Sequence, residues 1–277
     1  MKILTLNTHS YSNADFETNL QTLVEVIAER QYDIIALQEV NQPMKNAVIN
    51  QPENYCAVQG EVDPVAIKEG NYADLICTAL AKKGFKYYWS YLPSHIGYDK
   101  YDEGVAILAK TPFQAEGFLA SSASDYADYH TRRILIGHFT NFDVYSCHYS
   151  WWKDDTNTLA FSFEWDKTTQ TFSDKLTILM GDFNNAADQP SEGYQQIIAT
   201  PNLIDSYISA QTVNGNATVL GKIDGWETNA EDKRIDYVFV KGQAKIEKHE
   251  VIFDGLTTPM ISDHFGIEVT FNCEYYN

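Results

Sequence analysis

Basic residues are scarce in this chain. Its 277 residues include 20 lysines and arginines against 38 aspartates and glutamates, which gives a formal net charge of −18 at pH 7. Proteins that bind long nucleic acids usually carry clustered basic residues that neutralise phosphates. Short basic pairs such as Lys82-Lys83 and Arg132-Arg133 are isolated here. The charge balance therefore disfavours a nucleic acid as the partner, although an acidic nuclease with a local, metal-masked face stays compatible with it.

Long apolar segments are also absent. No run of about twenty apolar residues exists, and the N-terminal heptapeptide MKILTLN has neither an extended apolar stretch nor a small-residue cleavage site. The sequence thus predicts no membrane contact. The four cysteines, Cys56, Cys77, Cys147 and Cys273, are scattered and include no C-x-x-C pair. Disulfide bonds are compatible with that number, but reduced, buried thiols in a cytoplasmic protein are the simpler interpretation.

Linkers and internal repeats are missing as well. The chain has no Pro/Ser/Gly-rich run, no block of like charges and no repeat at the periods of solenoid proteins. Hydrophobic residues make up 44% of the sequence, enough for a sizeable core, and the length fits one large α/β domain or two small ones. Without a linker to divide it, we predict a single domain over residues 1–277.

Hydrophobic periodicity predicts a mixed α/β fold. Apolar positions from Phe16 to Ile27 follow a helical period, with Asn13 or Asp15 as the candidate cap, and a second helical stripe runs from Tyr72 to Leu80. Shorter helices are indicated within 156–173 and 191–198. Runs typical of strands occur at 2–6, 33–38, 87–92, 104–109, 133–139, 142–148, 176–180, 235–240, 245–252 and 265–271. The later connections are short, which predicts two largely antiparallel sheets packed face to face, with helices outside.

Residues able to carry chemistry follow the strand at 176–180. Asp182 and Asn184 are two positions apart, so their side chains face the same side if the chain stays extended there. Near the C-terminus, Asp263 and His264 place a carboxylate beside an imidazole. Carboxylate, amide and imidazole groups together suit a hard metal ion and a phosphate ester.

Other predicted strands supply further groups for the same site. The first strand ends at Asn7, the second at Glu39 and the strand 142–148 at His148, while Asp236 lies within a strand. A buried carboxylate is costly unless it is paired, and His264 is the candidate partner of Asp236. Because strand ends along one edge of a sandwich can converge, we expect these residues to share one pocket.

The order of these motifs is similar to that of a known family. The chain contains N-T-H (7–9), L-Q-E-V (37–40), D-E-G-V-A-I-L (102–108), S-C-H-Y (146–149), G-D-F-N (181–184), R-I-D-Y-V-F (234–239) and S-D-H-F (262–265). This series resembles the endonuclease/exonuclease/phosphatase superfamily over nearly the whole chain. The resemblance implies a DNase I-like α/β fold, a four-layer sandwich of two mixed, mostly antiparallel sheets with helices outside. It also implies hydrolysis of a phosphate ester with Mg²⁺, or with Mn²⁺ in its place.

Carried over residue by residue, the resemblance implies a role for each motif. Glu39 is expected to be the principal metal ligand, with Asn7 and Asp263 nearby. Asp182 is expected to orient or deprotonate the attacking water, and Asn184 to hold phosphate or metal. Taken alone, G-D-F-N also has the composition of a simple turn.

The imidazoles and their supporting carboxylates complete the expected catalytic set. The resemblance implies that His148 and His264 flank the scissile phosphate, with Asp236 supporting His264 and Glu103 supporting His148. Donors aimed at developing charge typically contribute ~10²–10³ in rate each. A structural histidine at a strand end, or an exposed acidic residue before a strand, is the competing interpretation.

Five residues are candidates for substrate contact. Trp151, Trp152 and Trp226 could offer apolar faces to a sugar ring, and ordinary packing is the alternative. His9 follows the first strand closely, where a cap or turn role competes with contact to the site. Arg133 could hold a phosphate as a bidentate donor or form a surface ion pair.

Three functional hypotheses follow. The segments L-T-L-N-T-H-S, S-W-W and D-G-W-E resemble bacterial maltose 6'-phosphate phosphatases, which implies a cytoplasmic phosphatase that acts on a small phosphorylated sugar. A nuclease or other phosphodiesterase on the same scaffold is the second hypothesis, and a non-catalytic binding protein is the third. The complete set of polar site residues argues against the third, and the low content of basic residues favours the first over the second.

Overall fold

Two β-sheets form the centre of the protein, whose computed structural model describes residues 1–60, 65–153, 158–222 and 231–272. The strands in these ranges are β1 (Lys2–Asn7), β2 (Ile34–Pro43), β3 (Val58–Gly60), β4 (Tyr88–Gly97), β5 (Tyr101–Ala109), β6 (Gln114–Leu119), β7 (Arg133–His138), β8 (Phe142–His148), β9 (Leu176–Asp182), β10 (Leu203–Asp205), β11 (Thr212–Asn214), β12 (Asp236–Lys241), β13 (Ile246–Ile252) and β14 (Gly266–Phe271). The α-helices are α1 (Phe16–Arg30), α2 (Tyr72–Lys82), α3 (Ala160–Thr169), α4 (Gly193–Ile198) and α5 (Ser206–Ser209).

Each sheet has seven strands within the described ranges. The first sheet has the order β11-β13-β14-β1-β2-β5-β4, and the second has the order β10-β12-β9-β8-β7-β6-β3. The pairs β1–β2, β3–β6, β8–β9 and β11–β13 are parallel. The other neighbouring pairs are antiparallel. The predicted arrangement of mixed, mostly antiparallel sheets is therefore confirmed.

Alternation along the strands separates three apolar layers. In β1, Ile3 packs between the two sheets in the same cluster as Ile178 of β9, whereas Leu4 packs with residues of α1 and α2 on the outer face. On the opposite outer face, Trp165 of α3 and Ile197 of α4 pack against the second sheet. Each buried aliphatic side chain contributes about 1.5–3 kcal/mol to stability. The layers therefore run helix, sheet, sheet, helix, as predicted.

Several strand boundaries differ from the prediction. Strand β2 does not end at Glu39 but continues to Pro43. The chain forms a bulge at Glu39 and then resumes its pairing with β5. Leu37 pairs with Ala106 and Val40 with Gly104, so two residues of β2 lie opposite one residue of β5. Strand β4 continues to Gly97, beyond the predicted end. Strand β6, which lies between β7 and the edge strand β3, was not predicted, since Gln114 and Glu116 lack an apolar pattern.

The cysteines within the described ranges are free thiols. Cys77 and Cys147 are buried and Cys56 is partly buried, while Cys273 lies outside the described residues. Among the helices of those same ranges, none is long and apolar enough to cross a membrane.

Candidate active site

Sheet register places three of the predicted site residues in one row. His148 of β8 is in register with Asp182 of β9, and Asp182 is in register with Asp236 of β12. Matched positions on neighbouring strands share a face of the sheet. Gly181 permits the close approach of β8 and β9, because a Cβ atom there would lie 1.9 Å from the carbonyl oxygen of Cys147.

The carboxylate of Asp182 is the point on which the site converges. Its Oδ2 atom lies 3.8 Å from Nε2 of His148 and 3.8 Å from Nε2 of His264. The same oxygen accepts a 3.1 Å hydrogen bond from Nδ2 of Asn7, which belongs to the other sheet. Asp182 is almost fully buried. Burial, followed by the charge of Asp236, raises the pKa of Asp182 to about 7.

Asn184 reaches the pocket by a turn and not by continued extension. Strand β9 ends at Asp182, and Asn184 has a left-handed backbone with φ of 50°. Its N–H donates to Oδ1 of Asp182 over 2.8 Å, and its Nδ2 donates to the carbonyl of Tyr149 over 3.0 Å. The condition of an extended chain is not met here, because an aspartate readily bonds the backbone two residues ahead. Both side chains nevertheless line one pocket.

His264 and Asp236 form the pair that the sequence predicted. Nδ1 of His264 lies 3.0 Å from Oδ2 of Asp236, whose backbone N–H donates to Thr218 Oγ1 over 3.2 Å. Burial opposes a charge on His264, but the carboxylates of Asp236 and Asp182 outweigh it and raise the pKa of His264 well above its usual range. With Nδ1 bound to Asp236, Nε2 is the atom turned toward Asp182.

His148 has the opposite electrostatic environment. Burial, then the positive charges of Arg132, His95 and His264, lower the pKa of His148 well below its usual range. The two imidazoles beside the Asp182 carboxylate therefore differ in protonation, because the lowered pKa favours neutral His148 and the raised pKa favours charged His264. Such divergence between neighbouring groups is typical of sites that combine acid and base chemistry.

A second group of oxygen ligands lies on the first sheet. Oε1 of Glu39 accepts a 2.8 Å hydrogen bond from Nδ2 of Asn7, and Oε2 lies 3.1 Å from Nδ1 of His9. The same His9 nitrogen is 3.7 Å from Oδ1 of Asp263. Ser262 donates to the carbonyl of Asn7 over 2.8 Å and so joins the last strand to the first. The carboxylates of Glu39 and Asp263 thus approach one point and remain partly accessible to solvent.

One cluster in the described residues has the spacing of a metal site. Asp182, Asp236 and His264 each offer a ligand atom, and these atoms all lie within 4.8 Å of one another. The site region therefore holds two neighbouring sets of groups that could bind a cation, this one and the oxygen set around Glu39.

Several residues around the pocket adopt the left-handed backbone region. The φ angles are 44° at His9, 48° at Glu39, 51° at Tyr98 and 50° at Asn184. This region is uncommon for residues other than glycine, and such strain concentrates at functional sites. At Glu39 it coincides with the bulge in β2, so the distortion sets the direction of the expected metal ligand.

A pocket of about 410 Å³ lies beside these groups, and the side chains of Asn7, Asp236 and Asp263 are not on its wall. The residues on its wall that were predicted from the sequence are Glu39, Glu103, His148, Trp151, Asp182, Asn184 and His264. The wall also contains residues that were not predicted: His95, Tyr98, Tyr129 and Arg132. Tyr98 and Tyr129 are about half exposed, at 49% and 50%. Aromatic rings therefore form part of the pocket mouth.

Glu103 pairs with His95 and not with His148. Nε2 of His95 lies 3.2 Å from Oε1 of Glu103, directly across the β4–β5 ladder, and Nδ1 of His95 lies 3.1 Å from the carbonyl of Thr131. Burial favours the neutral acid, but His95 and then Arg132 outweigh it and lower the pKa of Glu103. The expected Glu103–His148 support was wrong, because the longer hairpin brings His95 opposite Glu103.

Three of the predicted substrate contacts within the described residues, His9, Arg133 and Trp152, are not on the pocket wall. Arg133 faces away, with Nη1 donating to the carbonyl of Pro93 over 3.0 Å. Trp152 packs against the aromatic cluster under the second sheet. Trp226 lies outside the described residues. Adjacent strand residues point to opposite faces, which explains why Arg132, and not Arg133, reaches the pocket.

The fold and this arrangement are those of a phosphoesterase. The sequence profile of the Endonuclease/Exonuclease/phosphatase family matches residues 4–264. The chain therefore belongs to this family. No curated protein matches it significantly.

Solved structures agree over almost the full length. An endonuclease/exonuclease/phosphatase family protein from Leptotrichia buccalis C-1013-b is 33% identical, with a TM-score of 0.83 over 98% of this chain and 99% of that one. A conserved protein of unknown function from Enterococcus faecalis V583 is 20% identical, with a TM-score of 0.64 and the same coverage. A mannosyl-6-phosphatase from Bacteroides thetaiotaomicron VPI-5482 is 17% identical, with a TM-score of 0.63, again over 98% and 99%. None of these three is described as acting on maltose phosphate.

Proposed function

We propose that this protein is a Mg²⁺-dependent phosphomonoesterase that hydrolyses a small phosphorylated substrate, most simply a sugar phosphate such as maltose phosphate, in the cytoplasm. The observation that carries the proposal is the convergence of two imidazoles and one asparagine amide on the buried carboxylate of Asp182. Both sheets contribute to that convergence, which supports one catalytic domain over residues 1–277.

Asp182 orients the attacking water in this proposal. A water that bonds to its Oδ2 atom lies between His148 and His264, the two donors placed to bind phosphate oxygens. Asp236 fixes the ring of His264 through Nδ1 and so directs Nε2 at the phosphate. General base and donor groups of this kind each contribute about 10²–10⁴ in rate.

The oxygen ligands of the first sheet fit Mg²⁺. Glu39 and Asp263 would hold the ion with the amide oxygen of Asn7, since Mg²⁺ prefers oxygen ligands and retains several waters. Their partial exposure leaves room for those waters. The alternative trio of Asp182, Asp236 and His264 suits Mg²⁺ less, because it includes an imidazole nitrogen and Mg²⁺ prefers oxygen ligands. When bound, the ion neutralises phosphate oxygens and lowers the pKa of a bound water.

The substrate class is suggested by the shape and composition of the pocket. Its mouth carries Tyr98, Tyr129 and Trp151, and flat aromatic faces suit the apolar side of a sugar ring. The formal net charge of −18 opposes a long polyanion more than a small one. The mannosyl-6-phosphatase of the same fold offers a precedent for a sugar phosphate.

A substrate panel with metal controls tests the proposal. The protein is incubated with Mg²⁺ and, separately, maltose 6'-phosphate, mannose 6-phosphate, bis-p-nitrophenyl phosphate and supercoiled plasmid, with EDTA and Asp182→Asn as controls. We expect phosphate release from a sugar phosphate that needs the metal and falls at least ~10²-fold in Asp182→Asn. Plasmid nicking that depends on Asp182, with no release from any monoester, would establish the nuclease hypothesis instead. Absence of all turnover with Mg²⁺ or Mn²⁺ would favour a binding protein.

A further inference from the structure

Arg132 is a buried cation on the wall of the pocket. It lies directly before β7, lines the pocket together with His148, and is only 5% exposed. Its backbone is fixed, because its N–H donates to Ser121 Oγ over 2.8 Å and its carbonyl accepts from Ala120 over 2.8 Å. Its guanidinium forms no hydrogen bond or ion pair within residues 1–60, 65–153, 158–222 and 231–272, and its Nε atom is buried without an acceptor.

Trp151 presents a second donor of the same kind. Its ring lines the same pocket, and Nε1 is buried with no acceptor among the described residues. Burying a donor without an acceptor is unfavourable, and burying an unpaired charge is more so. Both donors therefore lack an acceptor among the described residues, and the charge of Arg132 selects an anion.

We propose that Arg132 and Trp151 form an anion subsite that binds the non-bridging oxygens of a terminal phosphate and makes the enzyme prefer phosphomonoesters to phosphodiesters. This rests on the proposed function. A guanidinium binds two phosphate oxygens at once. A phosphomonoester carries about two negative charges at pH 7, because its second pKa is about 6, whereas a diester carries one and has one fewer free oxygen.

The second negative charge of a phosphomonoester would face the opposite wall of the site. Glu39 lies in β2 of the first sheet and Asp263 in the segment just before β14, where the metal is expected, while Arg132 precedes β7 of the second sheet. Arg132 is also the largest charged contributor to the lowered pKa of His148, which places its charge on the His148 side of Asp182. The phosphate would thus be held between a metal on one side and a guanidinium on the other.

Arg133 is the matched control. It is the same residue type one position later, but it faces away, where Nη1 bonds to the carbonyl of Pro93 and the guanidinium stacks 5.7 Å from the ring centre of Tyr126. Arg132→Met and Arg133→Met remove equal charge from adjacent positions, one on the pocket wall and one facing away from it. Only the first removes the subsite.

The test compares a monoester, a diester and inorganic phosphate. For the wild type, Arg132→Met, Arg132→Lys and Arg133→Met, kcat/KM is measured with Mg²⁺ on p-nitrophenyl phosphate and bis-p-nitrophenyl phosphate, and phosphate affinity is measured by calorimetry. We expect Arg132→Met to lose about 10–100-fold on the monoester and a similar factor in phosphate affinity, with little loss on the diester. Arg132→Lys should recover part of both, and Trp151→Phe should weaken phosphate binding less. Arg133→Met should keep the wild-type ratio of the two activities.

Two outcomes overturn the subsite. These are equal losses on monoester and diester, and unchanged phosphate affinity in Arg132→Met. A thermal melt of each variant verifies folding, and Arg132→Lys, which keeps the charge, decides the matter if Arg132→Met does not fold. A wild-type protein that hydrolyses neither ester refutes the proposed function alone, since phosphate binding with and without Arg132 still tests the subsite.

Discussion

Glu164 gives a sharp prediction for how stability depends on pH. It lies in α3, is 1% exposed, and accepts hydrogen bonds from Ser150 N–H over 2.8 Å and Ser150 Oγ–H over 2.7 Å. These bonds fix the residue that directly precedes Trp151. Burial raises the pKa of Glu164 from the ordinary value of 4.5 to about 7, although the bonds to Ser150 and the charge of Arg132 oppose the rise.

The direction of the effect follows from proton binding. In the unfolded chain Glu164 loses its proton near pH 4.5, whereas in the folded protein it keeps it to about pH 7. The folded state therefore binds more protons in this interval, and stability is lost as the pH rises through it. Since one pKa unit equals about 1.4 kcal/mol, the loss amounts to about 3 kcal/mol above pH 7. Glu164→Gln removes it, because a glutamine can accept from Ser150 N–H and donate to Ser150 Oγ.

Urea unfolding followed by tryptophan fluorescence measures this effect. At pH 8 the free energy of unfolding of Glu164→Gln should exceed that of the wild type by up to about 3 kcal/mol, and at pH 4.5 the two should be close. Asp166→Asn, an exposed change in the same helix, is the control and should leave the wild-type pH profile unaltered. A difference between Glu164→Gln and the wild type that stays constant from pH 4.5 to pH 8 would refute the reasoning.

Two further substitutions test the geometry of the site. Gly181→Ala would place a Cβ atom 1.9 Å from the Cys147 carbonyl oxygen at a φ of 146°, so the free energy of unfolding in urea should fall by more than ~3 kcal/mol. The control Gly84→Ala, at a φ of 88° with open space around it, should lower this free energy by only ~1–2 kcal/mol. Equal losses in the two variants would contradict the predicted clash at Gly181. Asp236→Asn should lower kcat by ~10²-fold or more, and an NMR titration should show a lower pKa for His264 than in the wild type. A His264 pKa and a kcat that both equal the wild-type values would exclude the pairing role.

The sequence predicted the fold well where apolar patterns were strong. Strands β1 and β9 contain mostly apolar runs, β14 alternates apolar with polar residues, and α1 and α2 follow a helical period, so their positions required only local information. Strand β6 was not predicted, because its stability comes from pairing with β7 and β3 and not from its own composition.

The site was less predictable where long-range register decides. The residues on apolar strand ends, such as Asp182 and His264, could be found from their motifs. His95 could not, because its relation to Glu103 depends on how far the β4–β5 hairpin extends. Whether Arg132 or Arg133 faces the pocket depends on which alternate residues of the strand point to that side, and a shift of one residue reverses the assignment.

The position of the site between the two sheets makes catalytic activity a probe of how the sheets come together. Asn7 and Glu39 come from the first sheet, whereas His148 and Asp182 come from the second, and the bond between Asn7 and Asp182 crosses from one to the other. Turnover therefore requires the two halves of the sandwich to be in register with one another. During refolding, the recovery of catalytic activity should follow the packing of the two sheets against each other more directly than any spectroscopic signal from one sheet alone.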